Sequence, residues 1–302
     1  LSGADPASAA VTRPPGALRA LGTGLRLAHF EFLRLYPLAL LVGVALELVG
    51  IASDTANVWA PFNRAPVRLV ALTGGRPSLL RFATFFVSTF GWLLPVLLTT
   101  AVVAHAVRAR MRGEPARPLA SLRRGARALH VAVATALAFS IVPLAALWIP
   151  TASGNDAAIE RTSLWVLPLS VPLAAGVVAR WLFAVPCAVL ERRGLIAAWR
   201  RSERLGAGRQ LATFGLVVLG GATWLVGFGS FATFLSYLAT QGGRIEFMWM
   251  PPSGWSVAGE FGRVAIEAWF HLCVATVTTV YFERVRFAKE GPDADELRSV
   301  FN

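Results

Sequence analysis

Long apolar runs alternate with short arginine-rich segments, and that alternation leaves the chain few folds to choose from. The runs lie at about 37–53, 79–107, 128–149, 163–190, 211–239 and 261–282. A helix needs about 20 apolar residues to cross a bilayer core. Lipid offers the backbone no hydrogen-bond partner, so runs of this kind must be helical. Charge is too scarce for the alternative of a soluble domain: 15% of residues are charged against 55% hydrophobic, with mean hydropathy +0.58. About a quarter of a soluble domain is charged. The pattern predicts an all-α, polytopic integral membrane protein of about six transmembrane helices.

Charge sets the expected orientation. The formal net charge is +12, and Lys289 is the sole lysine. The arginines gather before the first run, after the second and fourth, and after the sixth. The positive-inside rule puts those segments, and both termini, on the cytoplasmic side of a bacterial inner membrane. In a soluble chain such charge would suggest nucleic acid. Between apolar runs it indicates topology and anionic lipid, so no nucleic-acid partner is expected.

Residues 1–16 are rich in Ala, Ser, Pro and Gly and read as a disordered tail. The first 35 residues contain no compact apolar segment with a cleavage site, so no signal peptide is expected. Residues 17–36 place Leu18, Leu21, Leu25, Ala28, His29 and Phe32 at helical spacing, with Arg19, Arg26 and Arg34 elsewhere. That predicts an amphipathic helix lying at the membrane surface. The six-span domain covers 37–285, and 286–302 is expected to be a cytoplasmic tail. Two arginine-rich segments, 108–127 and 191–209, are expected to form amphipathic elbow helices, the first starting near Pro118. In the outer loop 240–258, Phe247, Trp249 and Trp255 suit an interfacial belt.

The second elbow carries a resemblance. Arg180, Pro186, Glu191, Gly194 and Arg201-Ser-Glu-Arg-Leu205 resemble a recurrent segment in the membrane domain of bacterial glycerophosphoryl diester phosphodiesterases, shared with stand-alone multi-pass proteins. Thr99 to Gly113 with Glu114 and Pro115 is similar to that family's first elbow. Val280-Tyr-Phe-Glu-Arg-Val-Arg-Phe-Ala-Lys-Glu-Gly-Pro-Asp293 is similar to its closing segment, with Glu283 where Asp is usual. The resemblance implies six helices and a cytoplasmic C-terminus. It does not imply phosphodiesterase activity, which belongs to a separate soluble barrel; none of these residues reads as one.

Candidate site residues fall into three groups. Arg180, Glu47 and Glu267 are charges inside apolar runs, where charge is costly and needs a partner. Arg180 stands about ten residues, or roughly 15 Å, from Glu191, too deep to snorkel. It is expected to face the bundle and pair with Glu267. His105 and His271 could ligate haem or chlorophyll, and Ala101, Ala104 and Ala106 around His105 leave room for a flat macrocycle. Arg123, Arg124, Arg200, Arg201, Arg204 and Arg209 are expected to meet lipid headgroups, with Trp199 as an interfacial anchor.

Cys187 and Cys273 have no metal or disulfide spacing and read as buried small hydrophobes. No GxSxG, HExxH, Walker or Gly-rich nucleotide motif occurs, so no catalytic or metal site is expected. Three functions follow from this pattern. The first is a non-catalytic structural or accessory subunit of a larger membrane assembly, touching anionic lipid and other membrane subunits. The others are a small-molecule or lipid transporter, and a tetrapyrrole-binding subunit of an electron-transfer or photosynthetic complex.

Overall fold

A computed structural model describes residues 16–52, 79–152, 175–220 and 254–291. Nearly all of the expected tail at 1–16, the loop at 54–78, most of the turn at 150–161 and of the loop at 240–258, the first part of the fourth span (163–174), most of the fifth span and the end of the chain lie outside the described residues. Every described element is an α-helix, and no strand occurs among the described residues. In chain order they are α1 (Ala17–Phe30), α2 (Phe32–Ala52), α3 (Leu79–Met111), α4 (Pro118–Arg127) and α5 (Leu129–Ala152). There follow α6 (175–181), α7 (Ala184–Leu190), α8 (Leu195–Gly206), α9 (Gln210–Gly220) and α10 (Gly254–Glu290).

Two of these are long and apolar enough to cross a membrane over fully described residues, at Leu93–Met111 and Val264–Glu290. A third joins them if the bent pair α1–α2 is one span. The apolar stretches Leu129–Ser140, Ala175–Leu190 and Gln210–Gly220 are shorter.

The two long helices form the centre. α3 packs on α5, α10, α4 and α7, while α10 also receives α1 and α2. The shared core includes Val103, Val107, Phe139, Phe183, Leu272, Tyr281 and Phe282. Burying one such side chain contributes roughly 1.5–3 kcal/mol in water. In a bilayer that term weakens, and close packing of small residues carries more of the load.

Small residues are what α1 uses. Its buried positions are Ala20, Gly24 and Ala28, four residues apart. A Cβ on Gly24 would lie 2.6 Å from Val277 Cα, so glycine permits backbone contact with α10. Leu18 and Leu25 point outward instead. Of the predicted apolar face, Ala28 is buried and Leu21 packs against the core, so only part of that face is the packing face.

The helix also breaks earlier than the sequence suggests. α1 ends at Glu31, and α2 departs at 92°. Pro37 lies within α2 without breaking it. Glu31 makes the corner because its carbonyl accepts the first hydrogen bonds of α2, from the N–H groups of Arg34 and Leu35.

At the other end of the chain, α10 runs eight residues beyond the expected end of the sixth span, to Glu290. Gly291 follows with φ +78°, a helix-ending conformation suited to glycine. Residues 286–290 are therefore the last turns of α10, where sequence placed a tail. Their charges are tolerated in a helix because each finds a partner, as described below.

Candidate functional site

The fourth apolar run is broken. Residues 182–183 form a turn between α6 and α7. Pro186 falls in the first turn of α7, where its missing N–H costs no helical bond. The break exposes backbone groups, and the fully buried Ser202 on α8 satisfies them. Its Oγ donates to Arg180 O (3.0 Å) and accepts from Phe183 N–H (3.2 Å). Buried polar backbone needs such partners.

This break redirects Arg180. Its side chain is 58% exposed, and its Nε lies 2.9 Å from Glu203 Oε1 on α8. The partner is thus Glu203, not Glu267, and Arg180 does not face the bundle interior. The depth estimate assumed one straight helix from 163 to 190. Glu203 also accepts from the Trp181 indole N–H at 2.9 Å. That bond, with Arg180 beside it, holds the Glu203 carboxyl below the usual carboxylate range.

The same helix is anchored from its other side. Arg201 donates to Glu191 through both Nε (2.9 Å) and Nη2 (3.0 Å), and it pairs with Glu290 of α10. Its side chain is only 17% exposed. The two carboxylates, Glu290 foremost, push the guanidinium pKa above its ordinary value. Lys289 Nζ caps the end of α8 by donating to Arg204 O (2.8 Å) and Ala207 O (2.7 Å). The turn before α8 places Arg192 at φ 55°, a conformation that costs a non-glycine residue roughly 1–2 kcal/mol.

Similar pairings continue around the ends of α3 and α10. Arg110 meets Glu31 at 2.6 Å, Arg34 meets Glu31 at 3.2 Å, and Arg108 meets Glu283 at 3.3 Å. Arg286 meets Glu283 at 2.9 Å, and Arg284 donates to Thr23 on α1 at 2.7 Å. Together these contacts form an ion-pair layer across one end of the molecule. It joins the corner after α1 to the ends of α3, α7 and α10 and to α8.

The expected lipid contacts separate on this layer. Arg200, Arg204 and Arg123 are exposed, and Arg124 and Arg209 are partly covered. Arg201 is turned into the layer, because two carboxylates compete for it. Trp199 is no free anchor either. It stacks on Trp181 (5.0 Å) and donates to Thr135 Oγ1 (3.0 Å). Beside the layer, Arg193, Ile196, Ala197, Arg200, Arg201 and Arg204 line a shallow groove of about 380 Å³.

The histidines sit elsewhere. His105 Nδ1 is 3.2 Å from Ser121 Oγ of α4. Ala101, Ala104 and Ala106 are all buried in the packed interior. A Cβ on Gly125 of α4 would lie 3.0 Å from Ala101 O. α4 comes up against the backbone of Ala101 and Val102 beside His105. His271 is buried in α10. Glu267 is partly buried on the same helix, and Glu47 lies in α2 with its side chain outside the described residues. No cluster of three or more metal-ligating side chains occurs among the described residues.

Sequence reasoning did not anticipate Glu31, Glu283, Ser202 and Lys289 as members of the layer. A signal was present for the acids. Carboxylates are few beside 29 basic residues, so any one near the end of an apolar helix has an arginine to meet. No protein-family model, curated protein or solved structure matches the chain.

Proposed function

We propose that this chain is a non-catalytic, multi-pass protein of a bacterial cytoplasmic membrane, serving as a structural or accessory subunit of a larger membrane assembly. In this proposal six helices span the membrane. The ion-pair layer, α4, α8 and both termini lie at the cytoplasmic face, and the resemblance to phosphodiesterase membrane domains is one of architecture. One observation carries it. Large apolar side chains stand fully outward beside the charged layer: Phe30 and Leu33 flank the Glu31 corner, Leu119 begins α4, Ile196 lies on α8, and Leu211 follows Arg209. Leu33 is 86% exposed. Water penalises that arrangement, whereas a membrane interface takes up the apolar groups and leaves the arginines at the phosphates.

The layer supports a holding role over a reacting one. Its carboxylates are paired with arginines, and paired carboxylates are poor proton acceptors.

Two measurements test the proposal. Cys187 and Cys273 are buried, so single cysteines at positions 116 and 207 can be labelled selectively. They are expected to react from the cytoplasmic side alone; labelling from the outer side overturns the topology. Extraction in mild detergent is expected to retain other membrane subunits at fixed stoichiometry, and a lone monomer overturns the accessory role. A transporter is the second proposal, favoured by the broken helix at 182–183, since interrupted spans often line substrate sites. Flux in proteoliposomes that falls in Arg180→Leu would select it.

A further inference from the structure

We propose that the groove on α8 is a binding site for a phosphate ester, with Arg200 and Arg204 as its ligating side chains and Arg193 and Arg201 as its fixed rim. This rests on α8 facing lipid headgroups, not on the accessory role. Positions 193, 196, 197, 200, 201 and 204 recur at helical spacing, so the groove runs along one side of the helix.

The arginines on that side are not equivalent. Arg201 is clamped by Glu191 and Glu290, and Arg193 lies 2.6 Å from Glu191. The guanidinium groups of Arg200 and Arg204 form no ion pair among the described residues and are exposed. Two charges therefore have their position set by acids, and two are available to a ligand.

The lining selects the ligand class. Guanidinium forks match the oxygens of a phosphate with paired hydrogen bonds, so several at one site favour phosphate over a lone carboxylate. Ile196 and Ala197 give the groove an apolar strip between the arginines. A phosphate carrying a glycerol or acyl portion meets both surfaces. The volume, about 380 Å³, suits a headgroup and lies at the small end of ligand pockets. The same chemistry is offered by an acidic phospholipid and by a soluble glycerol phosphate.

The test uses the purified full chain in detergent, read by native mass spectrometry. Phosphatidylglycerol is titrated, with oleate as a carboxylate control and glycerol 3-phosphate as a soluble competitor. Arg200→Gln/Arg204→Gln is compared with Arg117→Gln/Arg127→Gln, which removes two exposed arginines at the ends of α4. Phosphatidylglycerol affinity is expected to fall about tenfold in the first variant and to change little in the second. Unchanged thermal unfolding of the first variant shows that the loss is not misfolding.

Competition by glycerol 3-phosphate supports the site and assigns it to soluble phosphate esters. Binding of the lipid without competition supports it and assigns it to the membrane. Equal loss in both variants, no loss in either, or oleate binding as tightly as phosphatidylglycerol overturns the proposal. Cytoplasmic labelling at position 207 combined with any of those results removes the groove and leaves the topology standing.

Discussion

The two short arginine-rich helices, α4 and α8, are near equivalents in sequence and opposites in attachment. α4 is held by size. Its buried residues are Ser121 and Gly125, and a Cβ on Gly125 would lie 2.9 Å from Val102 Cα. Burial and the charges of Arg192, Arg108 and Arg127 push the Arg124 pKa down, so arginines crowd one another there. α8 is held by charge. Arg201 grips Glu191 and Glu290, Glu203 grips Arg180, and Ser202 fills the break in the neighbouring helix. Arginine content alone does not say how such a helix is fixed. The placing of a glycine or a carboxylate does.

The largest effect expected is at α8. Arg201→Met removes the cation that Glu191 and Glu290 share, leaving Arg193 as the ion-pair partner of Glu191. Breaking a largely buried pair this way costs several kcal/mol, and the partial exposure here reduces it to about 2–3 kcal/mol. Thermal unfolding in detergent measures it. A loss no larger than that of Arg200→Met would show that charge does not hold α8.

α4 should respond to volume instead. Gly125→Val forces atoms into the backbone of α3, an overpacking that costs about 1–3 kcal/mol. Arg123→Gln on the same helix is expected to leave stability nearly unchanged. Comparable losses for the two substitutions would erase the distinction between the helices.

The smallest effect is a pH dependence confined to α8. The folded Glu203 carboxyl has a depressed pKa, so its stabilisation is complete above the unfolded value. It is lost as pH falls through the folded value, below the ordinary carboxylate range. Glu203→Gln is expected to flatten the acid limb of Trp fluorescence from Trp181 and Trp199, and Glu114→Gln beside α4 is expected not to. Identical acid limbs for wild type and Glu203→Gln would remove Glu203 as the titrating group.

Legibility follows the same division. Apolar runs and arginine clusters are local signals, and they carried the helical class and a short helix starting at Pro118. Pairings between distant segments have no local signal. The partner of Arg180 depended on a two-residue turn at 182–183, which Pro186 hinted at without locating. The packing side of α1 was legible in part: Ala28 stood on the predicted apolar face, while Ala20 and Gly24 did not. Arg201 and Arg200 are neighbours with the same side chain, and the positions of Glu191 and Glu290 separate them.

Residues from three segments far apart in the chain converge on the layer. Arg180, Glu191, Ser202 and Glu203 from one segment, Arg108 and Arg110 from a second, and Glu283 and Lys289 from a third all take part.

The length of α10 has a consequence for how the molecule is made. Arg201 and Glu290 are 89 residues apart in the chain, and Arg284 and Thr23 are 261 apart. A ribosome delivers α1 and α8 well before their common clamp. Until α10 emerges, α1 lacks the surface that accepts Gly24, and α8 has Glu191 but neither Glu290 nor Lys289. The locking helix is synthesised after the pieces it locks, so α1 and α8 wait on its closing turns for their final contacts.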